Sequence, residues 1–285
     1  VIVGLVLVGG GVAAGIFGSL LGLGGGILIV PLLTIGFGVP FREAVGVSLV
    51  CVIVTSSAAA GHYLQQRLAN LRLGMVLEVF TASGALVGGL VAFLLPERIL
   101  AGLFAILLAY TAVSMLRRGR APASPAAPGT GDELGAADTG ADPELATDPA
   151  TTTLAEEIAG PDYQPRRLGA GAVGSLGAGV VSALLGVGGG IVKVPLMHLV
   201  MGVPLKVATA TSNLMIGVTA AASAIVYLVR GGIDPYVAGP TAVGVFVGAL
   251  VGSRLATRIN VGLLRVVFVG VLVLTAAQMA ARALG

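Results

Sequence analysis

Lys193 is the residue hardest to reconcile with its surroundings. It stands in Gly186-Val187-Gly188-Gly189-Gly190-Ile191-Val192-Lys193-Val194-Pro195-Leu196, a run otherwise free of charge. An ammonium at membrane depth costs about 3 kcal/mol on insertion scales. Such a charge normally faces a cavity or a partner. It either attracts an anionic ligand directly, or forms a structural pair with an acid such as Glu78, or snorkels to an interface. Ser212 and Asn213 follow within one apolar stretch. A hydroxyl and an amide suit the neutral part of an oxyanion site, and they also serve as ordinary interhelical glue. Ser48 occupies the position matching Ser212 in the first half; Thr55 and Thr219 are weaker candidates. Glu78 could take and release a proton, or sit at headgroup level.

The element that must position Lys193 is a glycine cluster, and the chain carries it twice. The first copy reads Gly22-Leu23-Gly24-Gly25-Gly26-Ile27-Leu28-Ile29-Val30-Pro31-Leu32. Four glycines in five positions do not hold a helix, since each costs about 1 kcal/mol against Ala. Broken backbone at membrane depth is tolerated only where it is buried in protein or lines a cavity. The amide groups around Gly24, Gly25, Gly26, Gly188, Gly189 and Gly190 could cradle an anion. Close packing of backbones is the alternative reading. A matched pair of such breaks points to a transporter binding site.

Composition sets the class. Hydrophobic residues make up 56% of the 285 positions and charged residues 10%; mean hydropathy is +1.02. Soluble domains carry about 25% charged residues. The expected fold is an all-α polytopic membrane protein. No strand alternation suggests a barrel. His62 and His198 are isolated, so no metal site is expected. Cys51 reads as a small apolar filler. Arg254 and Arg258 lie near a span end, where snorkelling is the simple reading. No nucleophile–base pair, P-loop or nucleotide fingerprint is present, so neither an enzyme nor an ATP motor is expected, and no cofactor. The expected partners are the lipid bilayer and a small anionic solute, not nucleic acid; oligomeric state stays open.

In chain order, spans are expected near 1–21, 43–65, 73–95 and 99–116, with a short arm at 27–38. They return near 168–186, 207–229, 236–257 and 260–281, with an arm at 191–202. Residues 119–165 are rich in Ala, Pro, Thr, Gly and Asp and hold most of the acids, which predicts a disordered acidic linker. The organisation is then a first membrane repeat over 1–118, the linker, and a second repeat over 166–285. The second half matches the first at a constant offset: Pro31 with Pro195, Val39-Pro40 with Val203-Pro204, Ser48 with Ser212, Tyr63 with Tyr227. Such ungapped self-similarity reads as duplication. About eight transmembrane helices result. Whether the short arms also cross decides between parallel and inverted repeats. With eight crossings the linker and the C-terminus share a face, and the positive-inside rule puts both in the cytoplasm.

The doubled Gly-x-Gly-Gly-Gly-x-x-x-Val-Pro, each copy followed by a second Val-Pro, resembles the TauE/SafE family of sulfite or sulfonate exporters and toluene-sulfonate uptake permeases. So does the second-half run from Lys193-Val194-Pro195 to Ala210-Thr211-Ser212-Asn213. The resemblance implies movement of a small sulfur-containing or organic anion, such as sulfite, sulfonate or thiosulfate, across the inner membrane without ATP hydrolysis. In that setting Glu78 is the candidate for proton coupling. A passive anion channel is the alternative function, and a non-transporting membrane scaffold is a third.

Overall fold

A computed structural model describes residues 2–21, 26–65, 69–118, 165, 167–255 and 261–284. The linker expected over 119–165 falls almost wholly outside them, as do Gly24 and Gly25. The described residues form helices in the order α1 (Ile2–Leu21), α2 (Gly26–Pro31), α3 (Phe41–Gln65), α4 (Leu71–Leu94), α5 (Glu97–Arg118), α6 (Leu168–Leu185), α7 (Gly190–Pro195), α8 (Leu205–Val229), α9 (Pro235–Leu255) and α10 (Val261–Leu284). Seven of them are long and apolar enough to cross a membrane, and Val3–Ser19, Gly26–Gly36 and Gly190–Val200 are shorter apolar segments. The expected all-α polytopic membrane fold is what is found.

Local chemistry sets the ends of these elements. The Asn70 side chain caps α4 by accepting from the Leu73 amide at 3.0 Å, a standard N-cap. Gly186 closes α6 in the left-handed conformation, φ 70°, which glycine adopts without strain. The short arms α2 and α7 each end on a proline and pass into a π-helical turn, Leu32–Gly36 and Leu196–Val200. Proline cannot donate to the carbonyl four residues back, so the register slips there.

Side-chain packing fixes the direction of each helix. Gly189 lies against Ala178 and Ser182, Leu196 against Gly174, and Met201 against Gly171. The second arm therefore folds back along α6, and the two form a hairpin that returns to the side where α6 began. From there α8 runs parallel to α6, and near its end Tyr227 Oη donates to the Ala183 carbonyl at 3.0 Å. In contrast α3 opposes α8: Gly46 touches the Gly232 carbonyl while Gly217 touches Ser56. Likewise Gly102, early in α5, lies against Ala283 at the end of α10. Helix α1 packs on α9, and α4 on α6, each pair running in the same sense.

Each half is thus a hairpin followed by three long helices, an odd net traverse, and the two halves run in opposite senses. This resolves the parity question and corrects one expectation. The start of the linker and the C-terminus lie at opposite ends of the molecule, so they cannot share a face. The short arm misled the count because an 11-residue helix spans only about 16 Å, half a bilayer core, yet it carries the chain back.

The core centres on α3, the first arm, and the inner faces of α5 and α8. Leucine and valine side chains such as Val79, Leu86, Leu90, Val243 and Val247 remain exposed on α4 and α9, as a lipid-facing surface requires.

Candidate substrate site at the second glycine break

The break between α6 and α7 is open backbone. Gly186, Gly188 and Gly189 all have positive φ (70°, 77° and 75°). A side chain at Gly188 would collide with Val52 and Ile216, so the tight approach of α3 and α8 depends on its absence. The two arms meet here, with Gly26 packed against the Gly186 carbonyl. Ser48 ties them together: its hydroxyl lies 2.7 Å from the Gly186 carbonyl oxygen and 3.1 Å from that of Gly26. Ser48 is therefore a clamp between the arms.

Its counterpart behaves differently. Ser212 Oγ lies near Gly190 and has no hydrogen-bond partner among the described residues, although the residue is 1% exposed. Ser182, packed against Gly189, is likewise fully buried with an unpartnered hydroxyl. A buried polar group without a partner costs about 1–3 kcal/mol. Two of them lie beside one break.

Lys193 lies at the same break. Its Cε packs beside Gly189, and its ammonium contacts Glu78 Oε2 at 3.2 Å and Thr219 Oγ1 at 2.5 Å. Thr219 in turn donates to Glu78 Oε1 at 2.7 Å. Lys193 is 1% exposed and the Glu78 side chain 11%, so this is a buried ion pair bridged by a hydroxyl. Of the two structural alternatives for Lys193, the pair with Glu78 is the one formed. Glu78, seven residues into α4, accordingly turns inward toward Lys193. An ammonium has three protons to donate, and two are committed here.

Glu78 also lines a cleft of about 100 Å³ between α4 and α8, which begins at Asn70 and Thr211 and includes Gly74, Met75 and Met215. Asn70 N donates to Thr211 Oγ1 at 3.0 Å across its mouth. This end of the molecule is the one from which the linker departs.

The remaining sequence candidates are dispersed. Asn213 is half-buried and takes no part in the Lys193–Glu78–Thr219 bonds. Gly188 and Gly190 are at the break. His198 Nδ1 bonds the Val203 carbonyl at 2.9 Å, and among the described residues no cluster could hold a metal ion. Cys51 is fully buried, as a filler would be. The side chains of His62, Arg254 and Arg258 lie outside the described residues. Sequence reasoning ranked Thr219 low and passed over Ser182. The available signal for Thr219 was its spacing of two helical turns from Ser212 on one face of α8. Ser182 gave none beyond lying one turn before Gly186.

Paired helix breaks at one place inside an all-helical multi-pass membrane protein are an arrangement that membrane transporters use. The chain matches the family described as "Sulfite exporter TauE/SafE" over residues 7–279; it belongs to that family. It is 25% identical over 277 residues to the probable membrane transporter protein YunE of Bacillus subtilis, covering 93% of this chain and 94% of that protein. It is also 26% identical over 281 residues to the probable membrane transporter protein MamO of Magnetospirillum gryphiswaldense, covering 94% of this chain but only 43% of that protein. No solved structure matches the chain.

Proposed function

We propose that the protein is a secondary transporter of a small sulfur-containing or organic anion, with sulfite, sulfonates and thiosulfate as the substrate class. The observation that carries this reading is the Lys193 ammonium beside Gly189, buried, with one proton uncommitted and the free hydroxyls of Ser182 and Ser212 beside the same break. An oxyanion accepts hydrogen bonds and carries the opposite charge, so it is the ligand class that these donors suit. The two halves act as inverted repeats, and access alternates as one rocks against the other around the break. Among the described residues, Arg72, Arg117, Arg118, Arg167, Lys206 and Arg254 stand at or near helix ends on the linker side, whereas Arg42, Arg98, Arg230 and Arg282 stand at the other. The positive-inside rule then assigns the linker to the cytoplasm and the C-terminus to the opposite face of the cell membrane.

The test is flux of radiolabelled sulfonate, sulfite or thiosulfate into proteoliposomes. Wild type is expected to give saturable uptake. A Lys193→Met, Glu78→Gln double variant, which keeps the cluster neutral, is expected to lose it. No saturable flux of any of these anions by wild type overturns the reading.

A further inference from the structure

The pairing of Lys193 with Glu78 poses a problem for an anion carrier. As found, the ammonium is already neutralised by a carboxylate 3.2 Å away. A monovalent anion added to this pair would leave a net negative charge buried at membrane depth, which is costly. The cost disappears if Glu78 is neutral when the anion is bound. The empty site is then a lysine–carboxylate pair with no net charge. The loaded site is a lysine–anion pair beside a carboxylic acid, again with no net charge. Both states that must move across the barrier are electrically neutral.

We infer that Glu78 is the coupling residue of the transporter: each anion that binds at Lys193 is accompanied by one proton on Glu78, so that anion and proton travel together in an electroneutral one-to-one stoichiometry. The inference rests on the anion-transport reading and adds its coupling ion. The balance is simple. A proton from water converts the carboxylate to the acid, the ammonium passes from the carboxylate to the anion, and both steps reverse on release.

Two features of the site fit this cycle. Glu78 lines a cleft between α4 and α8 that also borders Asn70 and Thr211 and includes no residue of the glycine break. Thr219 supplies an exchangeable donor. Its single hydroxyl proton has two acceptors in reach, Glu78 Oε1 at 2.7 Å and the Met215 carbonyl at 2.9 Å. With Glu78 ionised the hydroxyl donates to it; with Glu78 protonated it accepts from the acid and donates to Met215. Among the described residues, Lys193 is the charged side chain that contacts Glu78. Helix α7 contributes Lys193, and α6 carries no titratable side chain along Leu168–Leu185. Helix α8 has Lys206 at its start and Tyr227 and Arg230 far along it, while α4 itself adds Arg72 at its first turn.

The probe is labelled methanesulfonate, which stays a monoanion at every working pH and carries no proton of its own. In wild-type proteoliposomes an inward pH gradient of one unit is expected to drive up to about tenfold accumulation, unaffected by a potassium–valinomycin potential. Glu78→Gln mimics the protonated acid. It is expected to keep exchange of internal for external methanesulfonate while losing gradient-driven accumulation. Should that variant fail to fold, purified wild type in weakly buffered detergent is expected to take up one proton per methanesulfonate bound, read with a pH indicator. Accumulation by Glu78→Gln, wild-type flux driven by potential or by sodium, or binding without proton uptake each overturns the coupling while leaving anion transport standing. Absence of any wild-type methanesulfonate flux overturns the sulfonate reading together with the coupling built on it.

Discussion

Replacing Lys193 by Met while Glu78 remains leaves a carboxylate inside the protein without its ammonium. Breaking a buried pair from one side costs about 3–5 kcal/mol, whereas removing both charges is close to neutral. Lys193→Met should therefore lower the thermal unfolding midpoint of the detergent-solubilised protein strongly, and adding Glu78→Gln should restore most of it. Equal destabilisation by the single and double variants would show that the pair contributes nothing. At this scale the sequence pointed to half of the groups that meet at the candidate site. Lys193 was conspicuous because charge is rare in such a run, and Glu78 was one of few acids outside the linker. Thr219 ranked low, because buried threonines in membrane helices ordinarily bond the carbonyl one turn back. Thr34, Thr81 and Thr111 do so at 2.8 Å. Only the approach of α4 and α7 distinguishes Thr219 from them.

The helix contacts are built on absent side chains. On α6, Gly179 packs against the Thr81 carbonyl and the Ala85 amide of α4, while Gly177 meets nothing within 4 Å. Gly179→Val should abolish recovery of folded protein by size-exclusion chromatography. Gly177→Val, on the same helix, should leave it unchanged. If both are tolerated, the close approach of α4 and α6 does not hold in the membrane. Helix extents were legible to within a few residues, since apolar runs end at recognisable signals: Pro40 and Pro204 before α3 and α8, Asn70 before α4, Gly186 after α6. The direction of the arms was not. A segment half a bilayer long is compatible with either return or passage, and its path is fixed by distant side chains, Leu196 and Met201, seated over Gly174 and Gly171.

For the molecule as a whole, helix direction determines sidedness. Protease added to inside-out membrane vesicles should cut the linker over 119–164 and spare a C-terminal tag. Right-side-out vesicles should show the reverse. Cleavage of both from one side would return the two termini of the second half to a common face and contradict the opposed packing of α5 on α10. The same packing accounts for the uneven chemistry. Two halves of opposite sense bring their glycine breaks together at Gly26 and Gly186. In the first, Ser48 spends its hydroxyl on joining the arms, and Ile29 stands where the second half has Lys193. The second half keeps Ser212 unpartnered and adds the charge.

The single cysteine offers a practical opening. Cys51 is sealed inside α3 with no exposed surface, so maleimide and nitroxide reagents should find no native thiol in the folded protein. Spin labels placed by mutagenesis on α4 and α9 could then report inter-half distances by pulsed electron resonance in otherwise unaltered protein. Rocking would be visible as two distance populations whose ratio shifts when substrate is added.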